Sequence, residues 1–134
     1  RKKINLKYES IIDNEIIDIL TYNYETILAE KLQTIISLGV SSSRSKDLFD
    51  IYIITKLKET EINYMELKKA IEITFTERET NYDQRYLRES IIKISVNKVQ
   101  KSIWERYTKN NYFVKGLSYE DVTTSIYKLI DKIS

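Results

Sequence analysis

The chain has 134 residues, 42% hydrophobic and 31% charged, with a formal net charge of +2, a balance that suits one globular domain and gives no whole-domain basic field. It contains no Cys and no His, which excludes disulfides, thiolate or imidazole metal sites, Cys nucleophiles and a histidine general base. Any metal is therefore a hard cation held by oxygen ligands. No apolar run approaches the roughly 20 residues that span a bilayer, and the start RKKINLKYES lacks the apolar core of a signal peptide, so the expected location is the cytoplasm, with no membrane partner.

In chain order, residues 3 to 8, KINLKY, alternate apolar and polar in the manner of a half-buried strand. Asp13 and Asn14 make a turn, and EIIDILTY at 15 to 22 reads as the second strand of an antiparallel hairpin. From Tyr24 to Ser37 the period becomes helical, with Thr21 or Asn23 as cap and Gly39 placed for a left-handed C-terminal turn. A serine-rich loop leads to a second helix from Arg44 to Lys58, apolar nearly all round and thus expected at the centre of the fold. NYMELKKAIEITF predicts a third helix, and a long fourth runs from Gln84 to Tyr107 with Leu87, Ile91, Ile94 and Ile103 at helical spacing. The last opens with SYED, a Ser118 cap with Asp121 in the reciprocal position, and buries Val122, Ile126, Leu129 and Ile133. The expected fold is mainly α with a small antiparallel β-hairpin at the N-terminus: one domain over 1–134, with 1–22 the remnant of a sheet and 23–134 helical. A start at Arg1 rather than Met suggests a chain cut from something longer.

Charge stands on two of the apolar faces. On a wheel of about 100° per residue, Lys31 falls between Ile27 and Ile35 inside the arc of Tyr24, Leu28, Leu32 and Ile36, while Glu30 and Gln33 point away. Asp47 and Asp50 stand one turn apart on the next helix beside Ile51 and Ile54, and Arg44 is within reach of Asp47. A lysine on a buried stripe costs several kcal/mol unless it reaches water, a carboxylate or a ligand phosphate. Two readings follow: a Lys31 pair with Asp47 or Asp50 that pins two helices, or a cluster of Lys31, Arg44, Lys46 and Asp47 that clamps a triphosphate.

The stretch ETILAEKLQTIISLGVSSSRSKDLFDIYII, with Glu30-Lys31 on one helix and Arg44, Asp47 and Asp50 at Arg-x-x-Asp-x-x-Asp spacing on the next, resembles the C-terminal signature of the AbiEii/AbiGii nucleotidyltransferase toxins, part of the DNA polymerase β-like superfamily. The motif-bearing resemblance covers roughly residues 3 to 54. It implies a transferase of phage abortive infection and type IV toxin–antitoxin systems that moves a nucleoside monophosphate from an NTP to an RNA acceptor such as tRNA, with a cognate antitoxin as genetic partner. On that resemblance Lys31 and Asp47 are catalytic, with Arg44 and Asp50 supporting them at the substrate; the charge cluster adds Lys46 to the substrate-binding residues, and Tyr107, Lys109 and Tyr112 are available to touch RNA. The superfamily's Gly-Ser…Asp-x-Asp/Glu motif, which holds Mg²⁺, is absent from the sequence, and Lys3 and Asn5 stand where a third carboxylate is expected. Mg²⁺ is thus expected to be bound by a part of the protein outside this chain, which alone would be inactive. The alternative from another class is a helical binding or scaffolding module with a structural Lys-Asp pair.

Overall fold

A computed structural model describes residues 23–41, 44–114 and 116–134, leaving aside the side chain of Phe113. Six α-helices are present among them: α1 (Tyr24–Leu38), α2 (Ser45–Leu57), α3 (Tyr64–Glu77), α4 (Gln84–Ser95), α5 (Lys98–Asn110) and α6 (Tyr119–Lys132), with a 3₁₀ turn at Tyr112–Val114 before α6. The mixed fold class expected from the sequence is corrected, because the described residues are helical and contain no strand. The hairpin itself was assigned to residues 3–22, which lie outside the described residues. Its signal was weak on physical grounds: Ile16, Ile17, Ile19 and Leu20 fit a helical period as well as a strand's, and short apolar runs do not separate the two.

Side-chain caps begin four of the helices. Asn23, Asn63 and Asn97 accept from the backbone N–H groups of Thr26, Glu66 and Gln100 at 2.9, 3.1 and 2.9 Å. Ser118 and Asp121 form the expected reciprocal capping box, at 3.0 and 3.2 Å. α1 ends at Gly39, whose φ of 55° and ψ of −131° lie where a Cβ is strained and whose N–H closes on the Ile35 carbonyl at 2.9 Å.

The single helix expected over Gln84 to Tyr107 is two. Val96 closes α4 and Asn97 caps α5, since an asparagine side chain competes with the helix for backbone hydrogen bonds and here wins. The break frees α5 to follow a different course from α4. α4 packs on α6, whereas α5 crosses both α2 and α6.

α1 packs on α3 and on α2, α2 on α6 and α6 on α4, which also meets α1, while α5 packs on α2 and α6. α2 is central, as its all-round apolar character demands, and buries Leu48, Phe49, Ile51, Ile53 and Ile54. The core continues through Leu28 and Leu32 of α1, Leu67, Ile71 and Phe75 of α3, Leu87 and Ile91 of α4, and Val122, Ile126 and Leu129 of α6.

Polar ties fix the layers. Trp104 Nε1 donates to the Leu117 carbonyl at 2.9 Å, and the buried Tyr119 hydroxyl donates to the Ile94 carbonyl at 2.6 Å. Gln33, expected to face solvent, is buried: its amide donates to Thr80 Oγ1 at 2.9 Å and accepts from Arg78 Nη1 at 2.8 Å. The wheel failed there because α1 is covered on a second side by α3 and the turn after it.

Candidate functional site

Lys31 sits in the middle of α1, on the side that faces α2. Its ammonium lies 3.2 Å from Asp47 Oδ1 and 2.8 Å from Asp50 Oδ2, so one lysine bridges the two aspartates of the next helix. Both partners are available because Asp47 and Asp50 are three residues apart and thus share a face of α2. Each carboxylate has a second cation. Arg44 Nε donates to Asp47 Oδ2 at 2.7 Å, and Lys46 Nζ lies 3.2 and 3.3 Å from the two oxygens of Asp50.

The five residues predicted from the sequence, Lys31, Arg44, Lys46, Asp47 and Asp50, are therefore one connected network. Its exposure is graded. The Asp50 side chain is fully buried, those of Lys31 and Asp47 are 14% and 12% exposed, and those of Arg44 and Lys46 are 45% and 44% exposed. Among the described residues three cations stand against two carboxylates, and the open side of the network carries the arginine and the lysine.

Burial lowers the proton affinity of Lys31, but the hydrogen bond to Asp50 and the charges of Asp50 and Asp47 outweigh it and hold the ammonium above its ordinary range. Burial pushes the Asp50 carboxyl up, with Lys31 and Lys46 pulling against it. Lys31 is thus a fixed positive charge at neutral pH. It is unsuited to serve as a general base and suited to hold an anion or a carboxylate pair.

The Mg²⁺ that the resemblance implies does not fit this donor set. Asp47 and Asp50 each already contact two cations, and among the described residues no group of three or more acidic residues could enclose an ion. A dication between them would meet Lys31.

α5 forms a wall against α2 and α6. Gln100 is buried and donates to the Gly39 carbonyl at 2.9 Å, which ties the start of α5 to the end of α1. Further along, Ile103, Arg106, Tyr107 and Asn110 line an open cavity of about 290 Å³ with Ser45, the first residue of α2. Arg44 and Lys46 do not line it, and at about 100° per residue Ser45 stands on the opposite side of α2 from Asp47 and Asp50. The wheel of the sequence offered no route to this wall, because the expected unbroken helix gave α5 the direction of α4.

A larger cleft of about 410 Å³ lies between α2 and α6, with Lys56, Lys128 and Lys132 opposed by Glu59, Glu120 and Asp121. Two of those carboxylates are engaged, Glu59 by Lys132 at 3.9 Å and Glu120 by Lys101 at 2.8 Å. Its lining has no excess of either sign.

Fold and network together define a helical domain with a part-buried charge cluster at the start of its central helix. The sequence model of the family described as "Nucleotidyl transferase AbiEii toxin, Type IV TA system" matches residues 3–120, and the chain belongs to that family. Membership brings with it nucleotidyl transfer, in general with an NTP and a divalent metal, and an antitoxin as partner. No curated protein and no solved structure matches the chain. Among the described residues no helix is long and apolar enough to cross a membrane.

Proposed function

We propose that Lys31, Arg44 and Lys46 bind the triphosphate of an NTP, and that the protein transfers its nucleoside monophosphate to an RNA acceptor, such as tRNA, in abortive infection. In that reaction an acceptor hydroxyl gives up its proton to solvent as its oxygen bonds to the α-phosphorus, the bond from the α-phosphorus to the bridging oxygen breaks, and pyrophosphate leaves with its charge. Arg44 and Lys46 are the groups that meet the phosphates, since their side chains are nearly half exposed at the same end of α2. Lys31 contributes a charge already oriented by Asp47 and Asp50, so none of its ordering is left to the reacting state. Asp47 and Asp50 are orienting groups in this account. The divalent metal would be held by carboxylates other than these two. With NTP and RNA as substrates, the cytoplasm is the protein's place.

The observation that carries this reading is the Arg44 guanidinium, oriented by Asp47 at 2.7 Å and 45% exposed at the mouth of the part-buried Lys31 network. A second reading is favoured by the closed side: a Lys31 bridge to a fully buried Asp50 is also what a structural pin between α1 and α2 would look like. Transfer of α-labelled NTP to total RNA by the full-length protein separates them. Loss of label in Arg44→Ala, which leaves the Lys31–Asp50 contact in place, supports phosphate binding. Undiminished label in that variant assigns the network to structure alone.

A further inference from the structure

α5 carries Lys98, Lys101, Arg106 and Lys109 against Glu105, a surplus of three where the whole chain has a net charge of +2. At about 100° per residue, Lys98, Arg106 and Lys109 fall within an arc of about 80° that also holds Ser102, opposite the side that buries Gln100 and Trp104. All three cations are exposed, and among the described residues none has a hydrogen-bond or ion-pair partner. The carboxylates nearby are directed elsewhere. Glu120 of α6 meets Lys101 at 2.8 Å, and Glu105, at the edge of the arc, adds its charge to the field at Lys101 without closing on Arg106 or Lys109. Lys98 stands in the first turn of α5, which holds no acidic residue, although the helix dipole disfavours a cation there. Like charges held along one face without carboxylates repel one another, and a bound polyanion relieves that repulsion.

We propose that the outward face of α5 holds the RNA acceptor, with Lys98, Arg106 and Lys109 on its backbone phosphates and the ring of Tyr112 against a base. The choice of RNA among polyanions rests on the nucleotidyl-transfer reading, to which the face adds the surface that holds the acceptor. Lys98 and Lys109 stand about 16 Å apart along the helix axis, at about 1.5 Å per residue. A nucleic-acid strand places a phosphate about every 3.4 Å along its axis, so cations at these spacings all find charge on one strand. A protein partner is held chiefly by large apolar anchors buried in pockets, and the arc contains none, Val99 lying just outside it. Tyr112, in the 3₁₀ turn that follows α5, is 73% exposed and offers a π-face on which any base can stack. The face needs no pocket in common with the Lys31 network, because an RNA acceptor extends well beyond the nucleotide it receives.

Binding of labelled total tRNA to the full-length protein would be measured by fluorescence polarisation over a series of salt concentrations. Wild type would be compared with Lys98→Gln/Arg106→Gln/Lys109→Gln and with Lys56→Gln/Lys68→Gln/Lys128→Gln, which removes the same charge from α2, α3 and α6. The α5 variant is expected to bind on the order of tenfold more weakly and to lose about 2 from the slope of log affinity against log salt, roughly 0.7 for each strand phosphate released. The charge-matched variant is expected to keep the wild-type slope, and Glu105→Gln to bind more tightly. All the substituted side chains are exposed, and unchanged helical circular dichroism checks that the variants are folded. No binding of tRNA by wild type, wild-type affinity and slope in the α5 variant, or equal losses in both triple variants would overturn this inference; label transfer by wild type in the same preparation would leave the transfer reading intact. RNA bound through α5 by a protein that labels none of it would uphold the face and overturn the transfer reading. Polyglutamate that displaces the tRNA at equal charge concentration would assign the face to an acidic protein and overturn the choice of RNA.

Discussion

Replacing Lys31 with methionine keeps the length and apolar stem of the side chain and deletes only the charge. The cost follows from what is left behind. Asp50, fully buried, keeps Lys46 at 3.2 Å as its remaining cation, and Asp47 keeps Arg44 at 2.7 Å. Breaking a buried pair by removing one member costs roughly 3–5 kcal/mol, and because Lys46 remains, the lower end applies, about 3 kcal/mol or a fall in Tm of about 10 °C for a domain of this size.

The pH dependence is more specific than the size. The Asp50 carboxyl is already raised by burial, and loss of Lys31 raises it further. A carboxylate whose pKa is higher in the folded than in the unfolded state costs stability when charged, and that cost fades as pH falls through the folded value towards the unfolded 3.8. Lys31, raised in the folded state, gives its full stabilisation below its unfolded 10.5 and loses it as pH rises through the folded value. The difference between wild type and variant is therefore largest near neutral pH and shrinks towards pH 4. Urea unfolding followed by circular dichroism at several pH values measures it. A difference below about 1 kcal/mol near pH 7, the size of an exposed ion pair, or one that does not shrink in acid, would refute the reasoning.

The double variant Lys31→Met/Asp50→Leu removes both buried charges, and it is expected to recover most of the stability lost in Lys31→Met, as read from the same urea midpoints. Asn97→Ala removes the cap that ends one helix and starts the next, with an expected loss of about 1 kcal/mol in urea unfolding. Gln33→Ala removes the hydrogen bonds of a buried amide to Thr80 and Arg78 and is expected to cost about 1 kcal/mol in urea unfolding, where a solvent-facing glutamine would cost almost nothing. Burial, helped by the charge of Glu120, pushes the Tyr119 phenol up to about 12 from 10.0. Its stabilisation is whole below pH 10 and is lost as pH rises through about 12, so wild type should lose stability relative to Tyr119→Phe above pH 10. Urea midpoints at alkaline pH that run parallel in the two proteins would contradict that.

Periodicity located α1, α2, α3 and α6 to within a few residues, because each has a cap or stop signal beside a clear apolar stripe, as at Asn23 and Gly39 or Ser118 and Asp121. The charged cluster was legible for the same reason, since Lys31, Asp47 and Asp50 each violate the pattern of the face they stand on. What failed was non-local. Asn97 carries a cap signal inside an unbroken apolar period, and only the packing of α4 on α6 and α5 on α2 shows which prevails. Gln33 reads as exposed because a one-sided wheel has no place for a second neighbour, and the Ser45–Arg106 cavity joins residues far apart in sequence. Whether Lys31 pairs with one aspartate or both is likewise a matter of how α1 sits on α2.

The central claim is that Lys31 acts on phosphate and is not only a pin between helices, and the stability-restored double variant tests it most directly. Transfer of α-labelled NTP to total RNA would be measured for the full-length wild type, Lys31→Met and Lys31→Met/Asp50→Leu, with folding confirmed for each. Label with wild type and none with the double variant, despite its recovered stability, is the predicted result. Label restored along with stability would make Lys31 a structural residue and contradict the account.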